Sequence, residues 1–478
     1  MRRRRRAAER GGMHSTTSPP ILCIFEDDRY PNFFPLSLAR PVFELSVGTH
    51  TLKDRLVDEI DPQSIILLCR PYLAAALAAD EERRGGRPCA VNGAVPGEEI
   101  LFLNGRLLAY GSELRDLVAG LAAGTLLRKK GTIVAARLSG ERASALAAHV
   151  GAMISDESVE RAANEIKRIA SLGAAIDPKD RGDGDAARGK ALAKWGAQNG
   201  VKLEESNVRL VSQCWQLIGE NRACIDDDFQ KSPLRGTSPE TELFKGVELI
   251  NENDIVIGSD VEVRSGTVLD ASEGAIVVAN GVRIEPNAII YGPCAIGEGS
   301  IVRGGAKIGH GTTLGRQCRV GGEVEESIFF PFGNKQHDGF VGHSCAGSWV
   351  NIGAGSCTSD LKNNYGLVRS WTAGRMRDTG RRFLGATIGD HAKVAVNSRL
   401  DAGAVVGFNA NVMTSGFAPK FVSSFTWRTE PEFVLCGLDD AIETARTMMD
   451  RRSVPFTEAH AELFKAVFRL CRLAGGSL

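Results

Sequence analysis

Val278, Ile284, Ile290, Ile296, Val302, Ile308, Leu314 and Val320 follow one another at intervals of six residues without an error. Two positions before each stands Ile276, Val282, Ala288, Cys294, Ser300, Ala306, Thr312 or Cys318, mostly small, with Gly, Asn and Pro between them. A helix cannot use a period of six, because its apolar residues would circle the axis. A flat strand needs a period of two. A coil with one short strand per six residues can use it: each aliphatic side chain points inward, and a small residue fits at the corner. Stacked coils then share the burial. The same rhythm opens at Ile257, Val263 and Leu269, and resumes at Ile388, Val394, Leu400, Val406 and Val412. Residues 235–428 therefore read as a solenoid.

Ahead of it, residues 21–230 alternate apolar runs ("ILCIFED", "SIILLCR", "EILFLNGRLL") with stretches of helical spacing ("HTLKDRLVDEI", "SELRDLVAGLAAGTLL"). That alternation predicts an α/β layer domain with parallel strands. The Gly-, Ala-, Asp- and Lys-rich segment 177–198 reads as a mobile surface insertion, and "VSQCWQLIGENRACIDDDF" as a connecting helix. Residues 429–478 carry two amphipathic helices, expected to pack on the coil or on a neighbouring subunit. Residues 1–20, with five consecutive arginines, read as disordered.

Composition excludes several partners. Acidic and basic residues balance at 58 each, so no global field points to nucleic acid or to a membrane surface. No window nears the ~18 consecutive apolar residues of a spanning helix. The 11 cysteines show no C-x-x-C pair, which predicts reduced thiols and a cytoplasmic protein.

Chemistry gathers in "FFPFGNKQHDGFVGHSCAGSWVNIGAGSCTSDLKNNYG", Phe329 to Gly366, which is expected to interrupt the six-residue rhythm. "KQHDGFVGHSCAGSWVNIGAG" resembles the acetyltransferase half of the GlmU family, bifunctional enzymes that make UDP-N-acetylglucosamine. "FEDDRYPNFFPLSLARPVFEL", "NKQHDGF", "TSDLKNNYG", "DTGRRFLG" and "IGDHAK" are similar to the GlmU-like sugar nucleotidyltransferases. The resemblance implies that the coil is a left-handed parallel β-helix of hexapeptide repeats, and that it forms homotrimers. It places His337 as catalytic base, with Phe340 where the bifunctional enzymes have tyrosine. Asn351 matches the acceptor-binding asparagine, and Ala354 the alanine whose backbone contacts acetyl-CoA. Arg303, Lys335 and Lys362 are the candidates for the sugar phosphate; Asn363, Asn364 and Tyr365 resemble a later acceptor-binding Asn-Tyr pair.

These residue types suit acyl transfer. An amino sugar near neutral pH is largely an ammonium ion and cannot attack a thioester, whereas histidine can accept its proton at that pH. Backbone amides around Gly353 to Gly355 could hold the oxyanion. Arg375, Arg377, Arg381, Arg382 and Lys393 could meet the phosphates of coenzyme A, the co-substrate; a solvated basic loop explains them as well. His343, in "VGHS", reads as a coil-corner residue and as the second candidate base.

The N-terminal half departs from the nucleotidyltransferase pattern it resembles. Val42 stands where that pattern has lysine, Arg106 where it has a magnesium-binding aspartate, and "FEDDRYPNF" replaces the glycine-rich phosphate loop. A substitute site would use Asp27 and Asp28 for Mg2+, with Arg40 and Asn104 on the nucleotide; turn and salt-bridge roles explain the aspartates equally. Two functions stay open: an acetyltransferase acting on an amino-sugar phosphate, with nucleotidyl transfer from a nucleoside triphosphate, or a solenoid whose degenerate N-terminal domain binds sugar nucleotides as a regulator.

Overall fold

The computed structural model describes residues 20–108, 110–172, 183–236, 243–429 and 433–478; the expected disordered N-terminus lies almost wholly outside them. The N-terminal domain is built on a seven-stranded sheet. Strands Cys89–Val91, Ser64–Leu68, Ile21–Phe25 and Ile100–Asn104 lie side by side and parallel. The expectation of a parallel sheet fails beyond them, because Thr132–Leu138 runs antiparallel to Ile100–Asn104 and to Thr125–Lys129. The reason is local. In "SELRDLVAGLAAGTLL" the helix spans only Glu113–Gly120, and the remainder enters strand Thr125–Lys129. Lys130 and Gly131, both at positive φ, then form the tight turn that suits a hairpin.

The expected mobile insertion is also corrected. Its described part is helix Asp183–Asn199. Leu192 there is 2% exposed, and Trp195 lies 5.5 Å from the His149 ring.

The second domain is a parallel β-helix with three faces. One coil runs through Ile276–Val278, Arg283–Ile284 and Ile289–Tyr291, and Cys294–Ile296 begins the next directly above Ile276–Val278. Stacking continues in the same sense along all three faces, as the resemblance to hexapeptide repeats implies. All eight residues of the uninterrupted period are at most 1% exposed. At about 1.5–3 kcal/mol per buried aliphatic side chain, this column is the main source of the coil's stability.

The stretch from Phe329 does not break the coil, contrary to expectation. Lys335 pairs in register with Val320 and Phe329 with Leu314, so Phe329, Lys335 and Val341 inherit the inward column. A lysine occupies an interior slot. The true excursion is residues 359–386, which carry hairpin Arg369–Thr372 and Arg375–Asp378. Its tip packs on the N-terminal domain: a Cβ at Gly374 would lie 2.6 Å from the Ile166 carbonyl.

Helix Cys214–Lys231 joins the domains and runs along one face of the coil. Asn221, fully buried, accepts from the Gly48 amide at 2.7 Å and donates to the Gly311 carbonyl at 2.8 Å, tying the two halves together. The last helices, Leu438–Asp450 and Glu458–Leu473, follow as expected. Phe464 meets Phe408 of the coil at 5.0 Å, and its helix also packs on helices Pro71–Arg84 and Asp156–Ser171 of the first domain. The 11 cysteines are all free, and no helix among the described residues is long and apolar enough to cross a membrane.

Candidate functional site

Lys335 organises the corner that presents His337. Its side chain is 1% exposed, and Nζ donates to the Gly321 carbonyl at 2.8 Å and to the His337 carbonyl at 2.6 Å. A charge inside an apolar bore persists only when its donors are satisfied, and here two carbonyls of neighbouring coils satisfy it. Lys335 therefore cannot reach a sugar phosphate, contrary to the expectation that it stands in for a phosphate-binding lysine. It clamps the backbone of His337 instead. The His337 side chain is exposed, and among the described residues its imidazole has no hydrogen-bond partner.

Burial pushes the Lys335 pKa down to about 8, with Cys357 and Asp338 opposing; burial does the same to Lys393, again to about 8. An unfolded lysine titrates near ~10.4. Between these values an unfolded lysine binds more protons than a folded one here, so the contribution of these two lysines to stability rises with pH across that window. Burial pushes thiols such as Cys23, Cys214 and Cys294 up, which acts in the opposite sense and in both proteins alike. The test is therefore a difference: the urea midpoint of the wild type is expected to gain on that of Lys335→Met from pH 8 to 9.5. Parallel pH profiles for the two proteins would show that Lys335 is not the titrating group.

Asn351, one coil above, accepts from Asn334 Nδ2 at 2.6 Å, so its carbonyl oxygen already has a partner and its amide nitrogen remains to donate. The Gly353 amide donates to Val394 and the Gly355 amide to Asp338, at 2.8 and 2.9 Å. Of the three expected oxyanion donors, only the Ala354 amide is left without a partner among the described residues. Arg303 is bound to Glu285 at 2.8 Å and 39% exposed. Lys362, Asn363, Asn364 and Tyr365 form an exposed turn: the Tyr365 amide donates to the Lys362 carbonyl at 2.8 Å, and Lys362 Nζ lies 3.4 Å from the Leu367 carbonyl.

The structure adds a group that residue order did not bring together. His343 Nδ1 lies 2.8 Å from Asp360 Oδ2, and Phe383 stacks on the ring at 5.3 Å. Glu325 completes a cluster whose three ligand-capable atoms lie within 4.8 Å of one another. Burial raises the Glu325 pKa, with Asp360 adding to it and His343 opposing. Phe340 reaches towards this cluster: a Cβ on Gly342 would meet both the Phe340 ring, at 2.4 Å, and Asp360 Oδ2, at 2.5 Å. His343 is thus more than a corner residue, since a carboxylate orients its ring. Asp360 sits within the quoted "TSDLKNNYG", which was the available signal.

The basic residues expected on coenzyme A do not converge. Arg381 lies on the connecting helix, where a Cβ at Gly219 would collide with its guanidinium. Arg375 and Arg377 belong to the hairpin whose tip packs on the N-terminal domain. Lys393 Nζ is held by the His391 carbonyl at 2.7 Å and Asn409 Oδ1 at 3.1 Å. Arg382 remains exposed.

The N-terminal candidates form a closed network instead of a metal site. Arg106 Nε donates to Asp27 Oδ1 at 2.9 Å and its Nη2 to Oδ2 at 2.6 Å; Asn104 Nδ2 also donates to Oδ2, at 2.8 Å. The Asp27 and Arg106 side chains are each 4% exposed. Burial pushes the Asp27 carboxyl up, but Arg106 and the donors around it outweigh this and hold it below the usual range. The guanidinium thus occupies the place where a cation would sit. Asp28 accepts from Arg188 at 2.8 Å. Arg40 pairs with the buried Asp390 of the coil, across the domain junction. These residues do not fit Mg2+, and Asn104 is not available to a nucleotide.

Residues 22–233 match the family model described as sugar nucleotidyl transferase, and residues 275–310 match that of the bacterial transferase hexapeptide, six repeats. The bifunctional protein GlmU of Wigglesworthia glossinidia brevipalpis is 28% identical over 191 residues, covering 39% of this chain and 37% of that protein. A bifunctional sugar-1-phosphate nucleotidylyltransferase/acetyltransferase of Sulfurisphaera tokodaii is 29% identical over 204 residues, covering 42% of this chain and 44% of that one. GlmU of Stenotrophomonas maltophilia is 32% identical over 177 residues, covering 33% and 34%. The matches span about two fifths of these relatives' length.

Proposed function

We propose that the chain is a cytoplasmic acetyltransferase that moves an acetyl group from acetyl-CoA to the amine of an amino-sugar phosphate, working as a homotrimer. The observation that carries this reading is the His337 corner: an exposed imidazole on a rigid coil, its backbone clamped by Lys335, with Asn351 one coil above. His337 takes the proton from the attacking amine as the new C–N bond forms. The thioester C–S bond then breaks, and the coenzyme A sulfur receives that proton. Asn351 orients the acceptor, the Ala354 amide faces the developing oxyanion, and Arg303 is the residue left to meet the sugar phosphate.

One observation favours a second base. His343 has the Asp360 carboxylate behind its ring at 2.8 Å, the arrangement that fixes a tautomer for proton transfer. For the N-terminal half, the Arg106–Asp27 pair favours sugar-nucleotide binding over metal-dependent nucleotidyl transfer. The test is an assay of purified protein with acetyl-CoA against a panel of amino-sugar 1-phosphates, with and without UTP and magnesium. Release of free coenzyme A that requires one amino sugar, without pyrophosphate release, is the expected result. No coenzyme A release with any acceptor would overturn the acetyl-transfer reading.

A further inference from the structure

A cavity of about 130 Å3 lies where the N-terminal domain, the coil and the last helix meet. Its wall includes Arg40, Arg83, Arg84, Arg316, His391 and His460. Three of the guanidiniums have acids of their own: Arg40 pairs with Asp390, Arg83 with Asp80, and Arg84 with Glu44. Arg316 has none among the described residues. It rests over the Phe332 ring at 4.8 Å, and that ring stacks on Trp349 at 4.1 Å. The lining therefore carries one cation in excess.

Two further polar atoms in the same wall are left over. His391 is 7% exposed, and its Nδ1 has no hydrogen-bond partner among the described residues; the Arg40 Nε donor is buried and equally unpartnered there. A buried donor without a partner is costly, so Arg40 Nε, beside an unpaired arginine, points to a missing acceptor, which the His391 ring also meets in the tautomer that carries its proton on Nδ1. Partial burial and the like charges of Arg84 and Arg83 push the Arg316 pKa down, outweighing the opposing pull of Asp80 and Glu298.

We infer that this cavity is an anion site that takes a single phosphoryl group at the junction of the two domains. About 130 Å3 is well short of the ~300–1,000 Å3 that a drug-sized ligand takes. What the cavity encloses is therefore of the size of a phosphoryl group, free or attached to a larger molecule. Guanidinium forks suit phosphate oxygens in pairs. Because Arg83 and Arg84 end a helix of the first domain while Arg316 belongs to the coil, the bound anion would hold the domains together. None of this depends on the acetyl-transfer reading.

The experiment compares thermal unfolding of the full chain in inorganic phosphate and in chloride, at matched pH and ionic strength. Calorimetric titration with phosphate supplies a direct binding readout. A saturable rise of about 1–2 °C is expected at roughly tenfold excess over the dissociation constant. Arg316→Ala, an exposed residue without an ion pair, should keep the wild-type midpoint in chloride and lose the phosphate response. General salting-in or salting-out effects would act on both proteins alike. An equal phosphate response in Arg316→Ala would overturn the assignment. So would the absence of any calorimetric signal from the wild type at ~10 mM phosphate, since a site weaker than that would shift the folding equilibrium by less than about twofold.

Discussion

His337→Ala is expected to lower the rate of acetyl transfer by about 10²–10⁴-fold, the usual worth of a positioned general base. The fold should survive: the side chain is exposed, and the clamp on this corner comes from Lys335 to the His337 carbonyl, which alanine keeps. Surface changes of this kind generally stay within about 0.5 kcal/mol. Steady-state assays with acetyl-CoA and the acceptor, alongside circular dichroism and a coenzyme A binding titration, separate lost chemistry from lost structure. A fall below about fivefold, far under the general-base range, would remove His337 from the role. Asp360→Asn then becomes decisive, because it leaves His343 in place but takes away the carboxylate that orients it. A large loss there, with the pH optimum displaced, would move the base to His343.

The coil was legible because its signal is one-dimensional: Val278 to Val320 repeat a single spacing, and each of those side chains is buried where the spacing puts it. The same logic misread Lys335. An apolar column with a lysine in it looks interrupted, yet backbone register carries Val320 directly onto Lys335, and two carbonyls supply what the missing methyl groups cannot. Helix Asp183–Asn199 was misread for a related reason. Its Gly- and Asp-rich composition argues for a loop, while Leu192 and Trp195 anchor it to the sheet domain; tertiary packing overrides weak local preference.

At the candidate site, His337, Asn351 and Ala354 were singled out because their spacing resembles a known pattern within one short segment. Asp360 was not singled out, since only the stacking of successive coils sets it against His343, 17 residues away in sequence. Arg40 shows the same limit over a longer range. Its partner Asp390 stands 350 positions on, and no local motif can announce such a pair. Asp27 and Arg40, read singly as metal and nucleotide ligands, are engaged by partners distant in sequence, whereas Lys335 is held by carbonyls of its own and the preceding coil.

Arg106→Ala is expected to destabilise the N-terminal domain by about 3–5 kcal/mol, because it strands the Asp27 carboxylate at 4% exposure without its counter-charge. Asn104 and the Arg29 amide still donate to Asp27, but neither carries a charge. Replacing both partners with apolar residues of similar volume, Asp27→Leu with Arg106→Met, should recover much of the loss, since no ion is then left buried. Urea unfolding of the single and double variants measures this directly. Magnesium supplies the opposing outcome. If Asp27 were a metal ligand, Mg2+ would raise the wild-type midpoint, and Asp27→Asn would abolish that rise. With the guanidinium already against both carboxylate oxygens, the expected result is no response to Mg2+ at Asp27 and a large response to losing Arg106. A magnesium-dependent midpoint that vanishes in Asp27→Asn would return the domain to metal-assisted chemistry.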